Sequence, residues 1–298
     1  MINRRTFLSA VPLVFSINAD FSWLKSKHKL SFSTLGCPDW NLDEIISNAV
    51  KWGYSGIEFR GLGKEIDLLK CPEFTGKGIT ETVKKFKDAG LSIVNLGSSA
   101  NLHFHEETRR KTELDQAKSY IELAEKLGCP FVRVFPNNLP KEYSKEATLE
   151  KIASGMNELG TFAGKTGVTV LLETHGEVVY SKDLLWIMQN VSSKNTGLIW
   201  DFFNMYIVTR ESPQLMYDTL KPYIRHTHLK DGIIEQDGKF KYLAAGGGNG
   251  PIAEAVKILK DNKYKGYYSF EWEKRWHPTI ENPEVVFPEY IKYMSSRL

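Results

Sequence analysis

Four apolar runs in the second half of the chain end in a residue that can bind a cation. Val168-Thr169-Val170-Leu171-Leu172 runs into Glu173, and Gly197-Leu198-Ile199-Trp200 runs into Asp201. Ile224-Arg225-His226-Thr227 runs into His228, and Tyr267-Tyr268-Ser269-Phe270 into Glu271. Carboxylate oxygen and imidazole nitrogen are hard or borderline donors that suit one divalent ion: Mg2+, Mn2+, Co2+ or Zn2+. A single acid at a strand end is more often a helix cap or a surface charge. Four in succession point to a shared metal. Two positions stay open on spacing alone, because His226 and His228 share a strand face, as do Glu271 and Glu273. Carboxylates flanking a metal support proton transfer beside a carbonyl. The metal polarises the carbonyl and stabilises an ene-diolate, one carboxylate removes the proton and the other returns one.

These residues need a scaffold that brings four strand ends to one place. From residue 29 onward, short apolar strands alternate with amphipathic stretches. Strands are expected at Leu30–Thr34, Gly56–Arg60, Leu91–Leu96, Phe131–Phe135, Val168–Glu173, Gly197–Asp201, Ile224–Leu229 and Tyr267–Glu271. Between them, Leu42, Ile45, Ile46, Ala49 and Val50 recur at helical spacing and stop at Gly53. A longer helix carries Ala117, Tyr120, Ile121, Ala124 and Leu127 and stops at Gly128. Eight β units in about 270 residues, with no linker between them, predict an α/β fold with a single (β/α)8 TIM barrel over 29–298. No G-x-G-x-x-G follows the first strand, which removes the support for a doubly wound open sheet. Function then belongs at the C-terminal ends of the strands, where the four ligand types fall.

Composition narrows the classes. The chain has 298 residues, 25% of them charged, and a net charge of +3, too small to mark a nucleic-acid binder. No apolar run reaches the length of a membrane span. Three widely spaced cysteines, Cys37, Cys71 and Cys129, make no disulfide framework and read as buried apolar residues. Ala245-Gly246-Gly247-Gly248-Asn249-Gly250-Pro251 lacks the Lys-Ser/Thr of a phosphate loop and reads as structural. At the amino terminus, Arg4-Arg5-Thr6-Phe7-Leu8 precedes a short apolar stretch and resembles a twin-arginine export signal. Residues 1–25 are expected to be such a signal or a disordered arm. The barrel is then exported or periplasmic, and otherwise cytoplasmic.

Several segments together carry a family resemblance. They are Ser33-Thr34-Leu35-Gly36-Cys37-Pro38, Gly56-Ile57-Glu58-Phe59-Arg60-Gly61, Leu172-Glu173-Thr174-His175-Gly176, His226-Thr227-His228-Leu229-Lys230-Asp231 and Ser269-Phe270-Glu271-Trp272-Glu273. The chain resembles the xylose-isomerase-like superfamily of TIM barrels, the sugar phosphate isomerase/epimerase group, over residues 29–290. The resemblance implies Glu173, Asp201, His228 and Glu271 as metal ligands, favouring His228 over His226 and Glu271 over Glu273. It also implies Glu173 and Glu271 as the acid/base pair. The substrate would be a small-molecule sugar or sugar derivative, and a homo-oligomer is compatible with the family.

Further residues are candidates for holding that substrate. His175 lies two past Glu173, Lys230 follows the metal histidine, and Glu58 ends the second strand beside Arg60. Asn204 stands three past Asp201, where the family's epimerases place a substrate-contacting His. It keeps hydrogen bonding and loses the titratable group. Lys230 has a second reading as a surface ion pair with Asp231. Arg133 and His103 are weaker candidates; Trp272, Trp276 and His277 lie in the last loop, where they can cover the pocket, although Trp more often packs than serves as a sugar platform. The leading function is a divalent-metal-dependent sugar isomerase or epimerase. The alternative is a dehydratase or lyase on a keto-sugar or cyclitol, with the same metal and base but an expelled group. A sugar-binding barrel without catalysis has no use for paired metal carboxylates. A DNA-repair endonuclease needs a His-rich trinuclear site, and the chain has 7 His in all.

Overall fold

The computed structural model describes residues 29–235 and 239–298. The export segment expected over residues 1–25 lies outside them. Seven barrel strands are β1 (Leu30–Ser33), β2 (Gly56–Phe59), β3 (Ser92–Asn101), β4 (Phe131–Phe135), β5 (Thr169–Glu173), β6 (Thr196–Asp201) and β7 (Ile224–Leu229). A hairpin of β8 (Asp231–Ile234) and β9 (Phe240–Leu243) follows. The eighth barrel strand, β10 (Tyr268–Phe270), then closes a ring in the order β1-β10-β7-β6-β5-β4-β3-β2. Neighbouring barrel strands are parallel throughout. The helices between them include α1 (Leu42–Trp52), α2 (Gly76–Ala89), α3 (Glu107–Leu127), α4 (Lys145–Ala163), α5 (Ser181–Gln189), α6 (Phe202–Thr209), α7 (Pro213–Leu220), α8 (Ile252–Asp261) and α9 (Pro283–Ser295). The TIM barrel expected from the alternation is the fold observed.

Local chemistry sets the helix ends. Asn41 accepts from Asp43 N and Glu44 N while Glu44 reaches back to Asn41 N, a reciprocal cap that fixes the start of α1. Gly53 ends α1 at φ 84°, a conformation that a side chain would strain. The last helix, α9, seals the barrel where β1 and β10 meet. Phe287 stacks on Phe32 at 4.3 Å, and Tyr290 stacks on Phe270 at 4.5 Å. Truncating a buried Phe such as Phe287 costs about 3–5 kcal/mol.

Strand alternation divides the barrel wall in two. Phe32, Ile57, Phe59, Val132, Val134, Val170, Leu172, Leu198, Trp200, Leu229 and Phe270 belong to the apolar core against the helices. The alternate positions carry Ser31, Ser33, Glu58, Arg133, Glu173, Asp201, His226, His228 and Ser269, all buried. Barrel interiors are ordinarily filled by Val, Ile and Leu. A buried polar interior has to be hydrogen-bonded, and it concentrates charge inside the ring.

The β8–β9 hairpin was not legible in the sequence. It pairs Asp231 with Leu243 and Ile234 with Phe240 in antiparallel register. The glycine-rich stretch holds it in place, in keeping with a structural role. Asp231 Oδ2 accepts from Gly246 N at 2.8 Å and Gly248 N at 3.1 Å, and its Oδ1 accepts from Gly232 N at 2.8 Å. A Cβ at Gly248 would lie 2.3 Å from the Gly232 carbonyl, so only glycine permits this approach.

Candidate metal and proton-transfer site

Glu173 and Asp201 terminate β5 and β6, His228 is the penultimate residue of β7, and Glu271 immediately follows β10. Pairing places Asp201 opposite His228, and the Glu271 amide donates to Leu229 O at 3.1 Å, which continues the strand by one residue. Asp201 also caps α6, accepting from Asn204 N at 2.9 Å. One donor atom from each of Glu173, Asp201, His228 and Glu271 lies within 4.8 Å of the others. Ligand bonds of about 2.0–2.2 Å put donors up to about 4.4 Å apart; the distances from His228 Nδ1 to the three carboxylates fall inside that limit, and the set suits a divalent ion in number and type.

His228 Nδ1 is the shared reference point. It lies 3.3 Å from Glu173 Oε1, 3.2 Å from Glu271 Oε1 and 3.9 Å from Asp201 Oδ2. Each glutamate is anchored through its other oxygen. Arg133 Nη1 donates to Glu173 Oε2 at 2.8 Å, and Lys230 Nζ donates to Glu271 Oε2 at 2.5 Å. Burial and the Glu271 charge push the Glu173 carboxyl up, but Arg133 and His228 outweigh them and hold it at about 2. For Glu271, burial acts upward and is overcome by His228 and Lys230, leaving it well below the usual carboxylate range. Asp201 goes the other way: burial raises it to about 7 against the pull of Lys230, with Glu271 and Glu173 adding to the rise.

The geometry separates the members of the two open pairs. His228 belongs to the four-donor cluster, whereas His226 Nε2 lies 2.9 Å from Glu58 Oε2 and is grouped only with Glu58 and His228. Glu271 is in the cluster, whereas Glu273 Oε1 lies on Lys230 Nζ at 3.1 Å. Lys230 is fully buried among Asp201, Glu271 and Glu273, so the surface pair with Asp231 does not form. The Asp231 carboxylate is taken up by glycine amides instead.

Among the residues expected to hold substrate, Glu58 is placed differently. Its carboxylate is fully buried and bonded to His226, His228 and Ser269, so it meets the cluster from behind His228. The reason is topological: the inward position on β2 meets the inward histidines of β7 across the barrel interior. His175 is partly buried, with Nδ1 2.7 Å from Asn137 Oδ1, and burial holds its imidazole below the usual value. Asn204 Nδ2 is buried without a partner among the described residues. Trp272 is wholly buried and donates to Glu281 O at 2.9 Å, so it packs rather than covers, while Trp276 is exposed.

The sequence reading missed Ser99, Asn101 and Asn137, which join Arg60 and His175 in a polar arc beside Glu173. Arg60 Nη2 donates to Ser99 Oγ at 3.0 Å, Asn101 Nδ2 to Ser99 O at 2.7 Å, and Asn137 bonds both Asn101 and His175. Burial lowers Arg60 to about 10, with Arg133 adding to the effect, and its Nη1 has no partner among the described residues. The role of Arg133 had one available signal. A charged residue in the middle of Phe131-Val132-Arg133-Val134-Phe135 needs a buried partner, because an unpaired buried charge is costly.

The chain is similar to several known proteins. Over 254 residues the chain is 22% identical to fructoselysine 3-epimerase of Shigella flexneri, covering 82% of this chain and 89% of the relative. It is 25% identical over 170 residues to inosose dehydratase of Clostridium perfringens, covering 51% of this chain and 56% of that enzyme. The crystal structure of the IOLI protein with a bound zinc atom superposes with a TM-score of 0.72 at 18% identity, over 90% of this chain and 96% of that one. The sequence model of the xylose isomerase-like TIM barrel matches residues 46–297. With the closed parallel barrel, that match over most of its length makes the chain a member of the xylose isomerase-like TIM barrel family.

Proposed function

We propose that the protein is a divalent-metal-dependent sugar isomerase or epimerase, with Glu173, Asp201, His228 and Glu271 holding the ion and Glu173 and Glu271 moving the proton. One observation carries this reading. Glu173 and Glu271 each tie Oε2 to a separate buried cation and turn Oε1 toward His228 Nδ1. Such anchoring leaves each carboxylate one oxygen directed at a common point, from two sides of the mouth. When bound, the ion polarises a sugar carbonyl and stabilises the negative charge that develops on its oxygen.

The chain's own residues supply the rest. One glutamate accepts the proton from the carbon beside the carbonyl, and the other serves the opposite face or the next carbon. Arg133 and Lys230 keep the two carboxylates ionised and fixed in direction. His175 and Asn204 offer hydrogen-bonding groups beside Glu173 and Asp201 for the hydroxyls of a small sugar or sugar derivative. Support for a sugar substrate comes from the fructoselysine 3-epimerase and inosose dehydratase relatives, and the zinc-bearing structural neighbour supports the ion.

A dehydratase also needs an acid for the leaving group: Asp201 is committed to the ion in this reading, and the other two nearby candidates are poor acids. Asp201, Glu271 and Glu273 outweigh burial and hold Lys230 well above its usual value, so it keeps its protons. Burial holds the His175 imidazole below its usual value, which makes it a weak proton donor for a leaving group. Incubation of metal-loaded protein with ketoses and keto-glycosides in D2O, followed by NMR, tests the reading. Deuterium beside the carbonyl with all oxygens retained supports it, and a dehydrated product refutes it. Export through residues 1–25 is part of the same proposal. An intact amino terminus in cytoplasmic protein from the native host would rule it out. Among the described residues, no helix is long and apolar enough to cross a membrane.

A further inference from the structure

Glu58 lies outside the four-donor cluster, yet it is fully buried against the histidine of that cluster. Its nearest polar neighbours lie more than 160 residues further along the chain. His226 Nε2 is 2.9 Å from Oε2, while His228 Nε2 is 2.9 Å from Oε1 and 3.1 Å from Oε2. Ser269 Oγ adds a contact to Oε2 at 3.3 Å. An ionised carboxylate only accepts hydrogen bonds, so both histidines meet it with Nε2–H. For His228 this turns Nδ1 toward Glu173, Asp201 and Glu271, where its proton lies against the Glu173 and Glu271 oxygens and is the one an incoming ion displaces.

We propose that Glu58 is the positioning residue of the cation site: it fixes the tautomer and ring direction of His228, so that Nδ1 is presented as a ligand. The inference rests on the metal reading above. A carboxylate behind a metal-binding imidazole raises its basicity and holds its orientation, and loss of such a partner typically costs 10–100-fold in metal affinity. His226 shares the same carboxylate from the layer below. Its Nδ1 has no partner among the described residues, as expected for a ring whose only anchor is Nε2–H on Glu58.

The substitution Glu58→Gln keeps the volume but turns one acceptor oxygen into a donor. Either Oε position then faces at least one histidine Nε2 with an N–H group. One imidazole must move its proton to Nδ1, and when that imidazole is His228 its ligand lone pair is lost. Metal affinity of the full-length protein is measured by chelator competition with Zn2+ and Mn2+, and stoichiometry by elemental analysis. Wild type should bind one ion per chain, and Glu58→Gln should bind it 10–100-fold more weakly. In Glu58→Gln/His226→Ala the amide oxygen has only His228 to serve, so affinity should recover toward wild type. A purely structural role for Glu58 predicts no recovery. On wild type itself, 15N NMR of the Zn2+-loaded protein should show His228 with a proton on Nε2 and metal on Nδ1, which decides the matter even if Glu58→Gln does not fold.

Unchanged affinity in Glu58→Gln, a double variant as weak as the single one, or His228 bound through Nε2 would each overturn the role of Glu58 and leave the metal reading standing. A second ion in wild type that disappears with Glu58 would mean that Glu58, His226 and His228 hold an ion themselves, and it too overturns the proposal. A wild-type protein that binds no divalent ion removes the metal reading and this inference with it.

Discussion

Lys230 Nζ lies 2.7 Å from Asp201 Oδ2, and both side chains are almost wholly shielded from water. The same ammonium reaches Glu271 at 2.5 Å and Glu273 at 3.1 Å, so one cation serves three carboxylates. In the metal-free protein Lys230 is a main counter-charge in the cluster, together with Arg133 on the Glu173 side. Lys230→Met should destabilise the metal-free protein by about 3–5 kcal/mol, the usual cost of stranding a buried charge. A bound dication replaces much of the missing charge, so the loss should be smaller with metal present. Urea unfolding with EDTA and with excess Mn2+ measures both, and equal losses in the two would show that Lys230 and the ion do not share the same carboxylates.

The legibility of this site follows from its position on the strands. Parallel strands buried on both faces read as apolar runs, and Glu173, Asp201, His228 and Glu271 stand out because they interrupt such runs where function sits in a barrel. What lies one layer deeper was not legible. Glu58 meets His226 and His228 only after the barrel closes, and β2 holds no trace of which strand stands opposite. The hairpin β8–β9 escaped notice because its strands have four residues each, too short to show a period, and Ile233 and Phe240 remain partly exposed. Its stabilising contact is a carboxylate wrapped by glycine amides, which hydrophobic patterning cannot register.

That contact gives a second prediction. Asp231→Ala would leave the amides of Gly232, Gly246 and Gly248 without their acceptor. A buried donor left unsatisfied costs about 1–3 kcal/mol, and water entry into the loosened loop relieves part of it. Amide hydrogen exchange at Gly246 and Gly248 should therefore accelerate well before global unfolding. If these amides stay protected at the wild-type level, the Asp231 carboxylate is not what orders the loop.

Acid stability should depend on His103. Burial holds its imidazole below the usual value, against weaker upward pulls from Glu113 and the Pro136 carbonyl. Its Nδ1 has no partner among the described residues. On acidification the unfolded chain takes up this proton first, near pH 6.5. The contribution of His103 is thus complete above about 6.5 and is lost as pH falls from there through the depressed folded value. His103→Gln removes that titration, so the loss of stability between pH 7.5 and 5.5 should be smaller than in wild type. Identical losses in denaturant melts at the two pH values would assign the effect to other groups.

The sharpest test of the chemistry concerns the two glutamates. Gln at Glu173 or Glu271 keeps the volume and one oxygen ligand but cannot accept a proton. It also leaves Arg133 or Lys230 facing a neutral amide, so metal binding should weaken while the fold persists. General acid–base catalysis contributes about 10²–10⁴-fold, and each variant should lose at least that much in turnover at saturating metal. The two losses should differ in kind. If Glu173 and Glu271 serve different faces or carbons, one variant can still wash solvent deuterium into recovered substrate while making no product. The other should do neither. Turnover near wild type in metal-loaded Glu271→Gln would mean that Glu271 serves only as a ligand, and the partner of Glu173 would then be sought at His175 or Lys230.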